Sequence, residues 1–152
     1  MSGSQTSYQL AQHVLEEHGQ IHFFLDRVSQ SLQQLRQGLS DVEPMRRLAA
    51  QIEALMERLN EHHQMEEQDG LFRAILDALP ESRVEISRLV RQHERIIEIL
   101  EMARIHAQCG EPAEADALRI DLERFIAMFR QHEQDEEQLM RAAIARENKT
   151  LD

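Results

Sequence analysis

The chain has no tryptophan, and aromatic residues make up only 4% of its 152 residues. Glycine (5) and proline (3) are scarce as well. A β-rich fold draws on aromatic and β-branched residues for its strands and on glycine and proline for its turns, so that class is excluded. A lone cysteine, Cys109, rules out an intrachain disulfide and fits a reducing compartment. No apolar run approaches the ~20 residues of a membrane span. Basic residues are the minority, 17 against 28 acidic ones. The net charge of −11 leaves no basic stripe for nucleic acid. Met1 to Ser7 are small and polar and show no signal-peptide pattern. The expectation is a cytoplasmic protein with no membrane and no nucleic-acid partner.

What remains is Leu, Glu, Gln, Ala and Arg, which favour helices. The few breakers cut the chain into four segments. Gly38 ends a first that starts near Ser4 or Ser7. Pro44 opens a second, with Asp41 or Glu43 as cap, and Pro80 closes it. Ser82 caps a third that runs to Cys109-Gly110, and Pro112 opens the fourth, which fades near Asn148. Each segment carries a helical stripe. The first has Ala11, Val14, Leu15, Ile21, Leu25, Val28 and Leu32. The second has Leu48, Ile52, Leu55 and Leu59; the third Ile86, Leu89, Val90, Ile96, Leu100 and Ala103. The fourth has Leu118, Leu122, Phe125, Met128, Phe129 and Leu139. Short connections make neighbours antiparallel. The predicted fold is all-α, one domain over 1–152, an up-down-up-down antiparallel four-helix bundle.

Polar side chains interrupt these stripes. Imidazole buried without a partner costs free energy, and a buried carboxylate costs more. Yet His18, His62, His93 and His132 each sit among inward leucines, isoleucines or phenylalanines, one per segment. Glu66 and Glu136 follow His62 and His132 by four residues, hence on the same face. Four imidazoles and two carboxylates at one depth make a cage for two transition-metal ions, with carboxylates suited to bridging a di-iron centre. The spacing alone is unspecific, since His13/Glu17 and His63/Glu67 share it. Convergence from all four segments is the stronger signal. The chain also repeats: a shift of 75 lays His18, Ile21 and Leu25 on His93, Ile96 and Leu100, and a shift of 70 lays HHQMEEQ on HEQDEEQ. Two hairpin copies predict a pseudo-twofold site between them.

These segments resemble the hemerythrin-like HHE cation-binding domain from about Tyr8 to Arg146. HEQDEEQLM at His132 is similar to that family's His-x-x-x-Glu-Glu-x-Leu-Met segment, and EHGQIHFFL and QHERIIEIL to its single-histidine helices. The resemblance implies two non-haem irons, oxo- or hydroxo-bridged, open to a small diatomic ligand. It maps the ligands onto His18, His62, Glu66, His93, His132 and Glu136. The oxygen carriers of the family have two histidines four apart on the third helix; here the partner positions of His93 are Leu89 and Ile97. Four histidines and two glutamates resemble the iron-centre repair proteins instead, although their N-terminal cysteine segment has no counterpart here.

Other positions stay open. His22 is a fifth histidine or a channel-lining one. His63 and Glu67 compete with His62 and Glu66; the upstream stripe and the repeat favour the latter pair, although the stripe then loses phase, with Asp69 and Arg73 on the inward face in place of Leu71 and Phe72 and Gly70 marking a break. Glu67 and Glu137 are a solvated face or orient an imidazole. Phe23, His13 and His106 read as surface, Cys109 as incidental, and Tyr8 is unassigned. Two function classes follow. One is a binding or sensing protein for oxygen, nitric oxide or peroxide, a monomer or weak homodimer. The other is an enzyme at the same metals, reducing peroxide or nitric oxide, or an iron donor. A metal-free interaction bundle is the bland alternative. A ferritin-like oxidase is disfavoured, because no histidine has glutamate three residues before it.

Overall fold

The computed structural model describes residues 6–36, 42–68 and 70–150. Over them the chain is helical, with no strand among the described residues. The elements are α1 (Ser7–Arg36), α2 (Val42–Gln68), α3 (Leu71–Ala78), α4 (Arg83–Cys109) and α5 (Ala115–Thr150), with single 3₁₀ turns at Pro80–Ser82 and Pro112–Glu114. α1 packs on α2, α2 on α4, α4 on α5 and α5 back on α1, so four long helices form a bundle. No helix among the described residues is long and apolar enough to cross a membrane. The expected break at Gly38 and cap at Asp41 lie outside the described residues, as does Asp69.

Local chemistry explains the ends. Thr6 and Gln9 form a reciprocal capping box: each side chain accepts the other's backbone N–H at 3.2 Å. Thr6 is therefore the cap, and α1 begins at Ser7, one of the two expected starts. Ser7 is buried and donates its hydroxyl to Glu147 at 2.5 Å, tying the start of α1 to the end of α5. Ser82 does not cap α4 through its side chain; its hydroxyl instead donates to the Leu79 carbonyl at 2.7 Å. Gly110 ends α4 in the left-handed conformation, φ 67°. Pro44 is the third residue of α2, and Pro112 opens the 3₁₀ turn before α5.

The second predicted segment is two helices. Gly70 has φ 132°, which an L side chain rarely adopts, and the chain restarts there. The restart resets the phase and turns Leu71, Phe72 and Ile75 inward. α3 thus closes one end of the bundle.

The apolar interior is in two parts. Ile21, Val28, Leu48, Ile52, Leu55, Leu59, Ile96, Leu100, Leu122, Phe125 and Phe129 belong to the larger. Ala11, Val14, Leu71, Phe72, Ile75, Leu89, Met140 and Ala143 belong to the smaller. Each fully buried side chain contributes roughly 1.5–3 kcal/mol by leaving water. Leu15 corrects the expected α1 stripe: it is 47% exposed, because it lies a residue past Val14 and His18 takes the inward position of the next turn.

Candidate metal centre

A polar layer separates the two apolar parts. α1 supplies His18, α2 His62 and Glu66, α4 His93, and α5 His132 and Glu136, all buried, with both glutamates at 0% exposure. The six converge as expected. His18, His62, Glu66 and Glu136 offer ligand atoms that all lie within 4.8 Å of one another, and so do Glu66, His93, His132 and Glu136. Glu66 and Glu136 belong to both groups. Glu136 divides its oxygens, Oε1 lying 3.2 Å from His18 Nε2 and Oε2 lying 3.3 Å from His132 Nε2. Glu66 turns Oε1 to His62 Nε2 (2.9 Å) and His93 Nε2 (3.4 Å).

The outer nitrogens are held from behind. His62 Nδ1 meets Glu17 at 2.5 Å, His93 Nδ1 meets Glu67 at 3.1 Å, and His132 Nδ1 meets Gln92 at 2.7 Å. His18 differs: Glu133 stands 3.4 Å behind its Nδ1 as a charge contact, without a hydrogen bond. Gln92 donates its amide to Asp135 at 3.2 Å, which leaves its oxygen to face His132. Each holder sits on one helix and serves the next: α1 to α2, α2 to α4, α4 to α5, α5 back to α1. An Nδ1–H donated outward leaves an Nε2 lone pair pointing inward, the form that ligates metal.

Those inward atoms lack partners of their own. Nε2 of His18 and His62 and both oxygens of Glu66 and Glu136 make no hydrogen bond. His93 Nε2 and His132 Nε2 face each other at 3.1 Å, two lone pairs in contact once Glu67 and Gln92 take the Nδ1 protons. A buried unsatisfied polar group costs roughly 1–3 kcal/mol, so this layer opposes folding unless cations enter it. Burial, and then the charge of Glu136, push Glu66 well above the usual carboxylate range. Burial holds His62 and His93 below the usual histidine value. On His18 burial acts downward, but Glu136 and Glu133 outweigh it and leave it raised. Two cations would satisfy the orphaned inward atoms of His18, His62, Glu66 and Glu136 and neutralise both acids, so the donors fit the group that the resemblance implies.

A comparison with protein families agrees. The family model for the hemerythrin HHE cation binding domain matches residues 9–144. The chain belongs to this family. No curated protein and no solved structure matches it. Hemerythrin-type cation binding is thus the family's property, and the His/Glu groups are where this chain can hold a metal.

The remaining candidates fall outside both groups. His22 is half-buried and bonds Glu133 at 2.9 Å, as a neighbour of the layer. Glu67 is in neither group; it meets His93 Nδ1 at 3.1 Å and orients that ring, the third of its readings. His63 is not a rival to His62: both are buried, so α2 turns two histidines inward. The His63 ring stacks on His93, centroids 3.8 Å apart and 9° from parallel, which sets it beside the second group. Burial, and then His62 and His132, lower it to about 3, so it is neutral. His106 is not free surface: it meets Glu114 at 2.5 Å and lies 3.4 Å from Asp121, clamping the turn before α5. His13, Phe23 and Cys109 are exposed as expected, and Tyr8 is exposed and bonded to Gln12. Sequence reasoning missed Glu17, Gln92 and Glu133 as holders. The available signal was adjacency, since each is next to a ligand in the chain while serving another helix's ligand.

Proposed function

We propose that the chain is a non-haem di-iron protein that binds or senses a small ligand: dioxygen, nitric oxide or peroxide. The two four-residue groups that share Glu66 and Glu136 carry the reading. His18 and His62 would hold one iron, His93 and His132 the other, with the glutamates on both. Mixed imidazole and carboxylate donors suit iron, and the acids offset only half the charge of two divalent ions, which favours an oxo or hydroxo bridge. Bound iron would supply a redox-active cation with coordination positions left for an outside ligand.

The protein's own residues set what reaches it. Phe129 stands 6.4 Å from His18 on one side of the layer and Phe72 stacks at 5.6 Å on His93 on the other, ring centre to ring centre. Apolar walls limit water and favour a small neutral ligand over a large or ionic one. The same reading takes the bundle as up-down-up-down. Ser31 bonds Gln51 while His18 lies by His62, and His106 lies by Asp121 while His93 lies by His132. Rising numbers on one helix meet falling numbers on the next.

The test is metal analysis of tag-free protein followed by spectra with oxygen and with nitric oxide. About two irons per chain and a spectral change with either gas are expected. Iron-free protein that takes up no iron would overturn the reading. Turnover of peroxide or nitric oxide with an electron donor would move it to the enzyme class.

A further inference from the structure

The polar layer has an opening between α2 and α4. A groove of about 560 Å³ there has His63, Glu67, His93, Glu94 and Glu98 in its lining. Its ionisable lining is acidic apart from the two histidines. Glu94 stands close enough to raise Glu67 by its charge, after burial, and Glu98 is offset in part by Arg95 at 3.2 Å. His93 at its inner end belongs to the second cation group.

His63 adds an independent observation. It is 5% exposed, lines the groove, and its Nε2 has no hydrogen-bond partner. A parallel stack at 3.8 Å keeps two imidazoles side by side, so His63 and His93 do not converge on one ion. A neutral imidazole beside a cage, with a free lone pair and no place in the ligand set, suits a cation in transit. Under the 70-residue repeat His63 corresponds to Glu133, which occupies the equivalent place beside His18 but is tied to His22. Among the described residues, the α2–α4 side combines an acidic groove with a free imidazole.

We infer that this groove is the route by which divalent metal ions enter and leave the cage, with Glu94 and Glu98 attracting the ion and His63 passing it to His93. The inference rests on the binuclear reading above. An acidic mouth raises the local concentration of cations, and its effect falls with ionic strength. An imidazole that binds weakly on one side lowers the cost of stripping water from the ion before it meets the buried donors.

Cobalt(II) uptake by the metal-free full chain, followed by stopped-flow absorbance, tests the route. At low salt Glu94→Gln/Glu98→Gln is expected to load about threefold to tenfold more slowly than wild type, the gap closing near 1 M salt. His63→Phe, or His63→Gln if the ring change disturbs folding, is expected to load slowly at every salt concentration while reaching the wild-type stoichiometry and cobalt spectrum. Glu16→Gln/Asp26→Asn, on α1 and outside the groove, controls for net charge and should match wild type. Wild-type loading rates in both the acidic and the His63 variants would overturn the route and leave the metal centre standing. A lost cobalt or altered spectrum in the His63 variants would make His63 a ligand and also overturn it. Wild type that takes up no cobalt would overturn the centre itself, and the route with it.

Discussion

Glu66 shows how one residue joins folding to function. It is wholly buried, without a hydrogen bond, and beside a second buried acid. Only a counter-charge on both sides makes its ionised form tolerable. Glu66→Gln, which removes the shared anion, is expected to empty both cation positions, whereas His22→Ala should leave metal content unchanged; metal analysis of purified variants checks both. His63 gives a pH prediction for the metal-free protein. Its value falls from 6.5 to about 3 on folding, because burial disfavours the imidazolium. Between those limits the unfolded chain takes a proton that the folded one refuses. Stability from His63 is thus present above about pH 6.5 and drains away toward pH 3, by at most ~1.4 kcal/mol per pH unit. His62 and His93 act in the same direction, while Glu66 opposes them, its folded form keeping a proton that the unfolded chain gives up above 4.5. Urea melts of metal-free His63→Phe between pH 6 and 4 should show a flatter acid limb than wild type. An unchanged slope would contradict the assigned cause.

Helices matter here as carriers of two kinds of side chain, ligands and their holders. Because every holder serves the neighbouring helix, the imidazoles are oriented only when all four helices are docked. Gln92→Leu should weaken metal affinity about 10–100-fold without altering the number of ions bound at saturation, since it frees the His132 ring without removing a donor. Titration with a competing chelator reads this directly. α3 shows the backbone's part. At Gly70 the nearest atom to an added Cβ is Leu10 Cδ1 at 4.0 Å, so space is no obstacle. The penalty of Gly70→Ala comes from φ 132° alone, roughly 1–2 kcal/mol, seen as a melting temperature lower by about 2–8 °C.

At the scale of the whole molecule, two apolar parts enclose a layer that destabilises the empty fold. Cations that bind only the folded state add RT ln(1 + [L]/Kd), about 4 kcal/mol per ion at a thousandfold excess over Kd. Chelation should therefore lower the melting temperature by at least ~10 °C, and resupplied iron should restore it. Acid should do the same, releasing metal as histidines protonate, and only below the free histidine value of about 6.5, because burial holds His62 and His93 under it. A melt indifferent to chelator would mean that the layer is satisfied in some other way.

The helices, their interior stripes and the six converging donors were legible from the chain, because helical period ties face to residue number and a buried histidine or glutamate breaks an apolar stripe visibly. The repeat of His18 in His93, and of His62 to Gln68 in His132 to Gln138, gave the depth. Three things needed the folded molecule. The stripe and the repeat pointed to His62, but that α2 turns His63 inward beside it came only from the fold, because at 100° per residue two adjacent positions share a broad buried face. The phase of Leu71 and Phe72 depended on a glycine dihedral that no periodicity encodes. The holders Glu17, Gln92 and Glu133 act across helix pairs, and a contact between residues 40 to over 100 positions apart exists only once packing has set which helix stands beside which.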